Sequence, residues 1–262
     1  MSPSRPDLGD LLALAVDAAR RAAQVHRAGL ERDQHTDVKT STSDPVSDVD
    51  RDAERVIVEA IRRGRPDDAL LAEESTDEQG SSGVRWVIDP LDGTVNYISR
   101  YPLFAVSIGI EVEGVPTIGV VLDSARDRLY AAVAGRGATR DGEAIRVPEP
   151  SDLASAIVAT GFSYRSSRRA QQAEALRTVL PRIGNIRCDG SAALDLCAVA
   201  TGEVDAYFEN PVAPWDVAAG RVIAEEAGAT VSVRTTGTST DVLAAPPPLF
   251  DALQDLLREA GV

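Results

Sequence analysis

The sequence predicts a protein with an α+β first half and an α/β second half. In the first half, two amphipathic helical segments at 8–31 and 50–63 precede a run of short strands that is typical of hairpins. After residue 153, strands and helices alternate, as they do in an α/β layer. With 262 residues, 44% of them hydrophobic, the chain is long enough for one large domain or two compact lobes.

The elements of the first half follow from hydrophobic spacing and from breaks rich in Ser, Asp and Gly. Apolar residues at helical spacing mark the first helix, and the polar segment after it can cap the second. In chain order we predict helix 8–31, a polar loop 35–49, helix 50–63, strand 69–72, a polar loop 75–83, strand 85–88, strands 104–112 and 116–122, strand 127–135 and a hairpin within 135–147.

The second half begins after a Pro-containing break at 147–153. This break predicts an N-terminal α+β lobe, 1–147, and a C-terminal α/β lobe, 148–262, which are expected to act as one functional unit. Within the second lobe we predict strand 156–160, helix 168–180, strand 185–188, helix 192–201, strand 204–209, helix 216–227, strand 230–234, and a last strand and helix within 242–260.

The net charge of −14 restricts the possible partners. Nucleic-acid binders normally present a basic face, and anionic membranes repel an acidic surface, so neither is an expected partner. Anionic substrates would also be repelled unless bound cations reverse the local field. The charge is therefore a first indication of a metal.

The sequence shows no targeting signal and no apolar run long enough to span a membrane. Its two cysteines, Cys188 and Cys197, are too few for a disulfide framework, and we expect both to be buried packing residues. These observations predict a protein of the reducing cytoplasm.

Several acidic residues stand at the ends of apolar strands or at the starts of helices. Asp50 and Asp216 each open a helix, which is also a favourable position for an ordinary first-turn Asp. Glu73 and Glu74 end the strand at 69–72, where two adjacent carboxylates are costly without a partner. A shared site explains this distribution better than unrelated turns and caps do.

The segment DPLDGT follows an apolar strand and concentrates oxygen donors in six residues. Its proline forces the preceding residue toward extended geometry, so that the two carboxylates can converge. Such hard oxygens are preferred by Mg²⁺, and a pair of ions can activate water and stabilise a leaving oxygen. The contributors would be the carboxylates of Asp89 and Asp92, the Leu91 carbonyl, Gly93 beside a phosphate and the Thr94 hydroxyl.

Two other phosphate chemistries are disfavoured by spacing. Haloacid-dehalogenase-type phosphatases use D-x-D-G-T after a strand, with the first Asp as nucleophile, whereas this chain has D-x-x-D-G-T. The D-x-D run at 48–52 follows a polar loop rather than an apolar strand. No G-x-x-x-x-G-K-[ST] motif occurs, so P-loop chemistry is disfavoured as well.

Several segments, taken in order, resemble the inositol monophosphatase family of Mg²⁺-dependent, lithium-sensitive phosphatases. They are KTSTSDPVSDVD, LAEES, WVIDPLDGTVNY, GSAALDLCAVATGEVDAYFE, PWDVAAGRVIAEEAGA and LAAPPPLFDAL, and they extend over nearly the whole chain. The resemblance implies a layered αβαβα sandwich of the inositol monophosphatase/fructose-1,6-bisphosphatase type. That fold agrees with the α+β and α/β halves predicted above.

The resemblance also implies a role for each matching residue. One Mg²⁺ ion would be bound by Glu73, Asp89 and the Leu91 carbonyl. A second Mg²⁺ ion would be bound by Asp89, Asp92 and Asp216. Glu73 would also position a third ion and the attacking water, which Thr94, hydrogen-bonded to Asp50, would orient. The substrate contacts would be Lys39 on the polar loop, the amides of Gly93 and Thr94 at the phosphate, and Ser191, Ala192 and Glu209 at the alcohol.

Hydrolysis would then proceed by direct attack of a metal-activated water. Inositol 1-phosphate or a similar polyol phosphate is the expected substrate, because Glu209 can accept hydrogen bonds from ring hydroxyls. The alternatives are a related phosphatase of histidinol phosphate, fructose 1,6-bisphosphate or 3′-phosphoadenosine 5′-phosphate, or a regulatory binding protein on the same scaffold. A homodimer is expected, and Asp189, whose negative charge lies near the proposed pocket, could serve its interface.

Overall fold

The chain folds around two β-sheets, each covered by helices. A computed structural model describes residues 6–31, 36–38, 45–74, 77–149, 152–236 and 239–262. Within these ranges the helices are α1 Leu8–Leu30, α2 Asp48–Gly64, α3 Thr94–Ile98, α4 Ser166–Val179, α5 Ala192–Thr201, α6 Pro214–Glu226 and α7 Pro247–Glu259, with a 3₁₀ turn at Leu180–Arg182. The strands are β1 Thr36–Val38, β2 Pro45–Ser47, β3 Ala69–Ala72, β4 Asp77–Glu78, β5 Val84–Asp92, β6 Ala105–Val112, β7 Val115–Asp123, β8 Arg128–Val133, β9 Ala138–Arg140, β10 Glu143–Ile145, β11 Ile157–Thr160, β12 Asn185–Arg187, β13 Ala206–Val212, β14 Thr230–Thr236 and β15 Ser239–Ala245.

Helices α1 and α2 form the first outer layer. Asp7 caps α1, since its Oδ1 accepts hydrogen bonds from the amides of Gly9 at 2.7 Å and Asp10 at 3.3 Å. The inner face of α1 is a stripe of small buried residues, which are Ala15, Ala18, Ala19, Ala22 and Ala23. Small side chains allow a close approach, so α1 packs tightly with α2 over the larger sheet.

The larger sheet has eight strands in the order β10-β9-β8-β7-β6-β5-β3-β4. Its neighbours are antiparallel except β3 and β5, which run parallel with Ala72 opposite Ile88. Alternate side chains of its central strands, such as Trp86 and Ile108, are buried under α1 and α2. Because β3 and β5 are parallel neighbours, the acidic residues at their carboxyl ends reach the same edge of the sheet.

The smaller sheet has five strands in the order β12-β11-β13-β15-β14. Strands β12, β11 and β13 run parallel, while β15 and β14 are antiparallel to their neighbours. One face packs against α4 and α7, with Val179 and Leu253 buried beside Val158 and Phe208. These two helices make the opposite outer layer.

Helices α5 and α6 lie between the sheets, with apolar contacts to both. Two glycines that face each other across β6 and β7 let α6 approach the larger sheet. A Cβ on Gly109 would lie 2.7 Å from the Ala218 Cβ, and one on Gly119 would overlap the Ala219 carbonyl oxygen. The order of layers is helices, large sheet, helices, small sheet, helices, which confirms the predicted αβαβα sandwich.

Most of the predicted helices and strands are confirmed to within a few residues. Two segments predicted as polar loops instead contain short strands, because β1 pairs with β2 and β4 pairs with β3. Strand β5 extends through Asp92, so the acidic segment is part of the strand. Cys188 is exposed rather than buried, because it lies in the connection between β12 and α5.

The predicted division into lobes 1–147 and 148–262 falls between the last strand of the larger sheet and the first strand of the smaller one. The layer of α5 and α6 is shared by both sheets. The division therefore stays a prediction. Within the part of the chain that the structure describes, no helix has the length and apolar character needed to cross a membrane.

Candidate active site

The acidic segment forms a β-bulge at the end of β5. Asp89 pairs with Ser107 and Asp92 with Ala105, so β5 has one more residue than β6 over this interval. Asp89 and Asp92 are both buried. The Leu91 amide donates to Asp89 Oδ1 at 2.9 Å, which fixes the Asp89 carboxylate against the bulge. The extra residue thus places two carboxylates at the edge of the larger sheet.

Thr94 follows the bulge and links it to α2. Its Oγ1 lies 2.8 Å from Asp50 Oδ1 and 3.0 Å from the Leu91 carbonyl oxygen. Asp50 is fully buried in the first turn of α2, where an acidic side chain interacts favourably with the helix dipole. The predicted pairing of Thr94 with Asp50 is therefore present as a hydrogen bond.

Gly93 turns the chain between the bulge and α3. Its φ of +91° is a left-handed conformation that favours glycine. A Cβ at this position would also lie 3.0 Å from the Leu103 carbonyl oxygen and 3.3 Å from the Gly190 carbonyl oxygen. The turn that presents Thr94 therefore depends on glycine for its backbone conformation and for its close packing.

Asp92 is held by the start of α5, in the second half of the chain. Its Oδ2 accepts hydrogen bonds from Ser191 Oγ at 2.5 Å and from the Ala193 amide at 2.8 Å. Burial raises the pKa of Asp92 to about 6, although these hydrogen bonds oppose the shift. Ser191 is also the N-cap of α5, so one side chain anchors both the helix and the carboxylate.

Asp216 lies in the first turn of α6 and completes a group of four carboxylates. Its Oδ2 accepts a hydrogen bond from the Ala213 amide at 2.6 Å. Burial raises the pKa of Asp89 and of Asp216 well above the usual range. The negative charges of Glu73 and Asp92 raise both values further, so the four side chains lie within one another's field.

These four carboxylates supply hard oxygens, which suit Mg²⁺ and similar cations. Across residues 6–31, 48–74, 77–149, 152–234 and 240–262, no three acidic, imidazole or thiol side chains are gathered tightly enough to form a ready metal-binding group. Glu73 and Asp89 share a side-chain hydrogen bond, while Asp92 and Asp216 accept hydrogen bonds from neighbouring amides. The residue set therefore fits a hard cation by its donor chemistry and charge, although its oxygens do not surround a single point.

Glu209 occupies a separate position on β13, in the smaller sheet. Its Oε2 accepts a hydrogen bond from the Tyr207 hydroxyl at 2.9 Å. Burial raises the pKa of Glu209 to about 7, a shift that the Tyr207 hydrogen bond opposes and the charge of Asp92 reinforces. Gly161 makes room for this side chain, because a Cβ there would overlap the Glu209 carboxylate.

The structure brings most of the predicted site residues to one region. The contacts and charge interactions above join Asp50, Glu73, Asp89, Leu91, Asp92, Gly93, Thr94, Ser191 and Asp216. The Ala192 amide also donates a hydrogen bond to Asp92, and Glu209 is close enough to interact electrostatically with Asp92. Lys39 lies outside the described residues. The substrate and metal roles of all these residues remain predictions.

Sequence reasoning missed residues that support the site. Asn96 Nδ2 donates to the Leu103 carbonyl at 2.8 Å and to the Asp189 carbonyl at 2.7 Å, which ties α3 to the segment before α5. His26, on α1, contacts the bulge. Asp195, in the first turn of α5, has the one buried side-chain polar atom, Oδ2, that lacks a hydrogen-bond partner among the described residues. Its burial and the charges of Glu209 and Asp189 raise its pKa.

Comparison with known proteins identifies the relatives of this chain. The model of the inositol monophosphatase family matches residues 7–259. "Nus factor SuhB" of Pasteurella multocida is 42% identical over 259 residues, covering 96% of this chain and 97% of that protein. "Inositol-1-monophosphatase SuhB" of Mycobacterium tuberculosis is 42% identical over 246 residues, covering 89% and 84% of the two chains.

Solved structures agree with this match. The extragenic suppressor protein suhB of Bartonella henselae superposes with a TM-score of 0.89 at 31% identity, covering 95% of this chain and 98% of that one. The inositol monophosphatase of Anabaena has a TM-score of 0.83 at 35% identity and covers 97% of each chain. The fold is thus that of the layered αβαβα phosphatases. The chain belongs to the inositol monophosphatase family, whose members are generally metal-dependent.

Proposed function

We propose that the chain is a Mg²⁺-dependent phosphomonoesterase that hydrolyses inositol 1-phosphate or a similar polyol phosphate to the alcohol and inorganic phosphate. The observation that carries the proposal is the meeting of four mutually repelling carboxylates beside the hydrogen-bonded Thr94 and Asp50. A cluster of neighbouring carboxylates adds little to the stability of a fold, whereas an enzyme that binds cations needs such a cluster as its ligands.

The proposed metal ligands come from the larger sheet and from α6. Glu73, Asp89 and the Leu91 carbonyl are assigned to one ion, and Asp89, Asp92 and Asp216 to a second, with Glu73 contributing to a third. Bound Mg²⁺ would lower the pKa of a water molecule and neutralise charge on the leaving oxygen. Hydrogen bonds from the Leu91 amide, the Ser191 hydroxyl and the Ala213 amide orient Asp89, Asp92 and Asp216, which supports this assignment.

Thr94 and Asp50 are assigned to the attacking water. An ionised carboxylate only accepts hydrogen bonds, so the Thr94 proton points to Asp50 or to the Leu91 carbonyl. The lone pairs of Thr94 Oγ1 then remain available to orient a water. The amides of Gly93 and Thr94 are assigned to the phosphate oxygens, and Lys39 to the anionic substrate.

The alcohol side of the substrate is assigned to the start of α5 and to β13. Ser191 and Ala192 form the helix N-terminus, and Glu209 would accept hydrogen bonds from ring hydroxyls. Tyr207 supports this assignment, because its hydroxyl fixes the Glu209 carboxylate in one orientation. A polyhydroxylated alcohol matches these acceptors better than an apolar one does.

The test is phosphate release from myo-inositol 1-phosphate, histidinol phosphate, fructose 1,6-bisphosphate and 3′-phosphoadenosine 5′-phosphate with Mg²⁺, and with Li⁺ as inhibitor. Asp92→Asn is expected to abolish hydrolysis, whereas Asp251→Asn, at an exposed position on α7, should leave it unchanged. Preference for another phosphate ester would overturn the polyol assignment but keep the chemistry. If the folded protein hydrolyses none of the four esters, the proposed phosphatase activity is overturned.

A regulatory role is the second candidate, since one relative at 42% identity is called Nus factor SuhB. That name supports a binding partner in transcription, in addition to or instead of hydrolysis. We further propose that the protein is a cytoplasmic homodimer of two-lobed chains, 1–147 and 148–262. Sedimentation of wild type and Asp92→Asn tests the dimer, and capture of transcription components by both proteins would separate a regulatory role from activity.

A further inference from the structure

His26 joins α1 to the bulge that carries the proposed metal ligands. The side chain is fully buried. Its Nε2 lies 2.9 Å from the Pro90 carbonyl oxygen, 64 residues away, and its Nδ1 lies 2.9 Å from Ser124 Oγ, directly after β7. One imidazole therefore bridges an outer helix and two strands of the larger sheet.

The partners of the ring determine which nitrogen carries the proton. A carbonyl oxygen only accepts hydrogen bonds, so Nε2 must donate to Pro90. The pKa of His26 is lowered to about 3, chiefly by burial, so the imidazole is neutral and has a single N–H. Nδ1 is then an acceptor, and the Ser124 hydroxyl donates to it.

The bulge needs such a partner, because its backbone leaves the regular strand pairing between Asp89 and Asp92. Pro90 has no amide hydrogen, and the Leu91 amide donates to Asp89 Oδ1. Thr94 Oγ1 lies within hydrogen-bonding distance of the Leu91 carbonyl. The Pro90 carbonyl is the remaining polar group, and His26 satisfies it.

We propose that His26 is a positioning residue of the active site, whose imidazole donates from Nε2 to the Pro90 carbonyl and thereby sets the geometry of Asp89, Leu91 and Asp92. The inference rests on the proposed function, since it takes these residues as metal ligands. Groups behind a metal's ligands orient them and commonly change metal affinity.

Packing holds the imidazole in place. The ring centroids of Tyr97 and Phe104 each lie 6.0 Å from that of His26, and the Tyr97 hydroxyl donates to the His26 carbonyl at 2.8 Å. An aromatic replacement can keep these ring contacts while losing the bond to Pro90. His26→Phe thus separates the hydrogen bond from the packing. His26→Gln can return a donor near the position of Nε2.

The first experiment reads the tautomer directly. The chain has two histidines, so ¹⁵N-histidine labelling gives two imidazole patterns, and His26→Phe assigns them. His26 is expected to show a protonated Nε2 and an unprotonated Nδ1 from pH 5 to pH 8. An unprotonated Nε2 would overturn the proposal without reference to activity, because the ring could then not donate to the Pro90 carbonyl.

The second experiment measures Mg²⁺ affinity by calorimetry and by the Mg²⁺ dependence of phosphate release. His26→Phe should weaken Mg²⁺ binding by about 10-fold or more, and His26→Gln should recover most of the loss. Leu253→Val is the matched control, because it alters a buried residue of α7 on the far side of the smaller sheet. It should change stability and leave Mg²⁺ affinity unaltered.

The outcomes distinguish this inference from the proposed function. Wild-type affinity in His26→Phe, with Asp92→Asn inactive, would overturn the positioning role alone. Equal losses of Mg²⁺ affinity in His26→Phe, His26→Gln and Leu253→Val would mean that His26 contributes only to general stability. That outcome would also overturn the positioning role. If Asp92→Asn binds Mg²⁺ and hydrolyses the phosphate ester like the wild type, the metal assignment fails, and the positioning role fails with it.

Discussion

Thr94 Oγ1 lies 2.8 Å from Asp50 Oδ1, which joins the first turns of α3 and α2 across 44 residues of sequence. The same hydroxyl is 3.0 Å from the Leu91 carbonyl oxygen, and its one proton can be given to a single acceptor at a time. The contact therefore fixes the position of the hydroxyl and leaves its lone pairs directed elsewhere. A fixed acceptor of this kind suits the orientation of a nucleophilic water.

Thr94→Val is expected to lower kcat by about 100-fold or more, because it removes the hydroxyl while keeping the shape of the side chain. Thr94→Ser retains the hydroxyl and should stay within about 10-fold of the wild type. Steady-state phosphate release with saturating Mg²⁺ measures both. Comparable kcat values for the Val and Ser variants would show that the hydroxyl has no catalytic role.

Asp92→Asn is expected to stabilise the protein in the presence of a chelator at neutral pH. The pKa of Asp92 is about 6 rather than 3.8, so the folded state binds the proton more tightly than the unfolded chain. The stability associated with this group is therefore present at low pH and is lost as the pH rises from about 4 to about 6. Above that window the variant should gain up to about 3 kcal/mol, and near pH 4 the gain should vanish.

Urea unfolding at pH 4, 5, 6 and 7.5 with EDTA measures this difference, and added Mg²⁺ provides the control. Ligands that bind only the folded state stabilise it, so Mg²⁺ should raise the stability of the wild type much more than that of Asp92→Asn. A variant that is less stable than the wild type at pH 7.5 would mean that the hydrogen bonds from Ser191 and Ala193 outweigh the burial of charge.

Asn96→Ala is expected to reduce the free energy of unfolding by about 1–2 kcal/mol, because two partly buried carbonyl groups lose their donor. Asn96→Asp should cost more, since a carboxylate would then face the carbonyl oxygens of Leu103 and Asp189. Val95→Ala, at an exposed position in the same helix, is the control and should change stability by less than about 0.5 kcal/mol. Equal effects of all three substitutions would contradict the bridging role of Asn96.

Gly161→Ala is expected to displace the Glu209 carboxylate, because the added methyl would occupy its place. The KM for a polyol phosphate should rise by about 10-fold while kcat changes little. In a Glu209→Ala background the same substitution should have almost no effect, since the overlapping group is gone. Equal effects in both backgrounds would show that Gly161 acts independently of Glu209.

Local signals explain why much of the fold could be predicted. The segment of the predicted helix 192–201 has a serine before its apolar run and a glycine after it. In the structure Ser191 accepts a hydrogen bond from the Leu194 amide, and Gly202 adopts a left-handed conformation. Strands β1, β2 and β4 are missed because they lie in polar segments rich in Ser, Thr and Asp, which lack the alternation that marks a strand.

The site could be predicted where short motifs carry its chemistry. DPLDGT contains several oxygen donors of the candidate site within six residues, and the family resemblance adds Asp216 to the set. His26 and Asn96 could not be found this way, since each becomes important only through partners 64 and 93 residues distant in the chain. The sequence around a histidine on a helix face does not indicate which carbonyl group tertiary packing will bring next to it.

The middle layer has a consequence for how the protein is made. A ribosome releases the chain from its N-terminus, so the strand that bears Asp89 and Asp92 is synthesised well before Ser191 and the helix that bears Asp216. Throughout that interval the acidic segment lacks both the anchor and the last of its four carboxylates. On the proposed ligand set, an unfinished chain cannot hydrolyse phosphate esters, and activity begins only once α6 has packed between the two sheets.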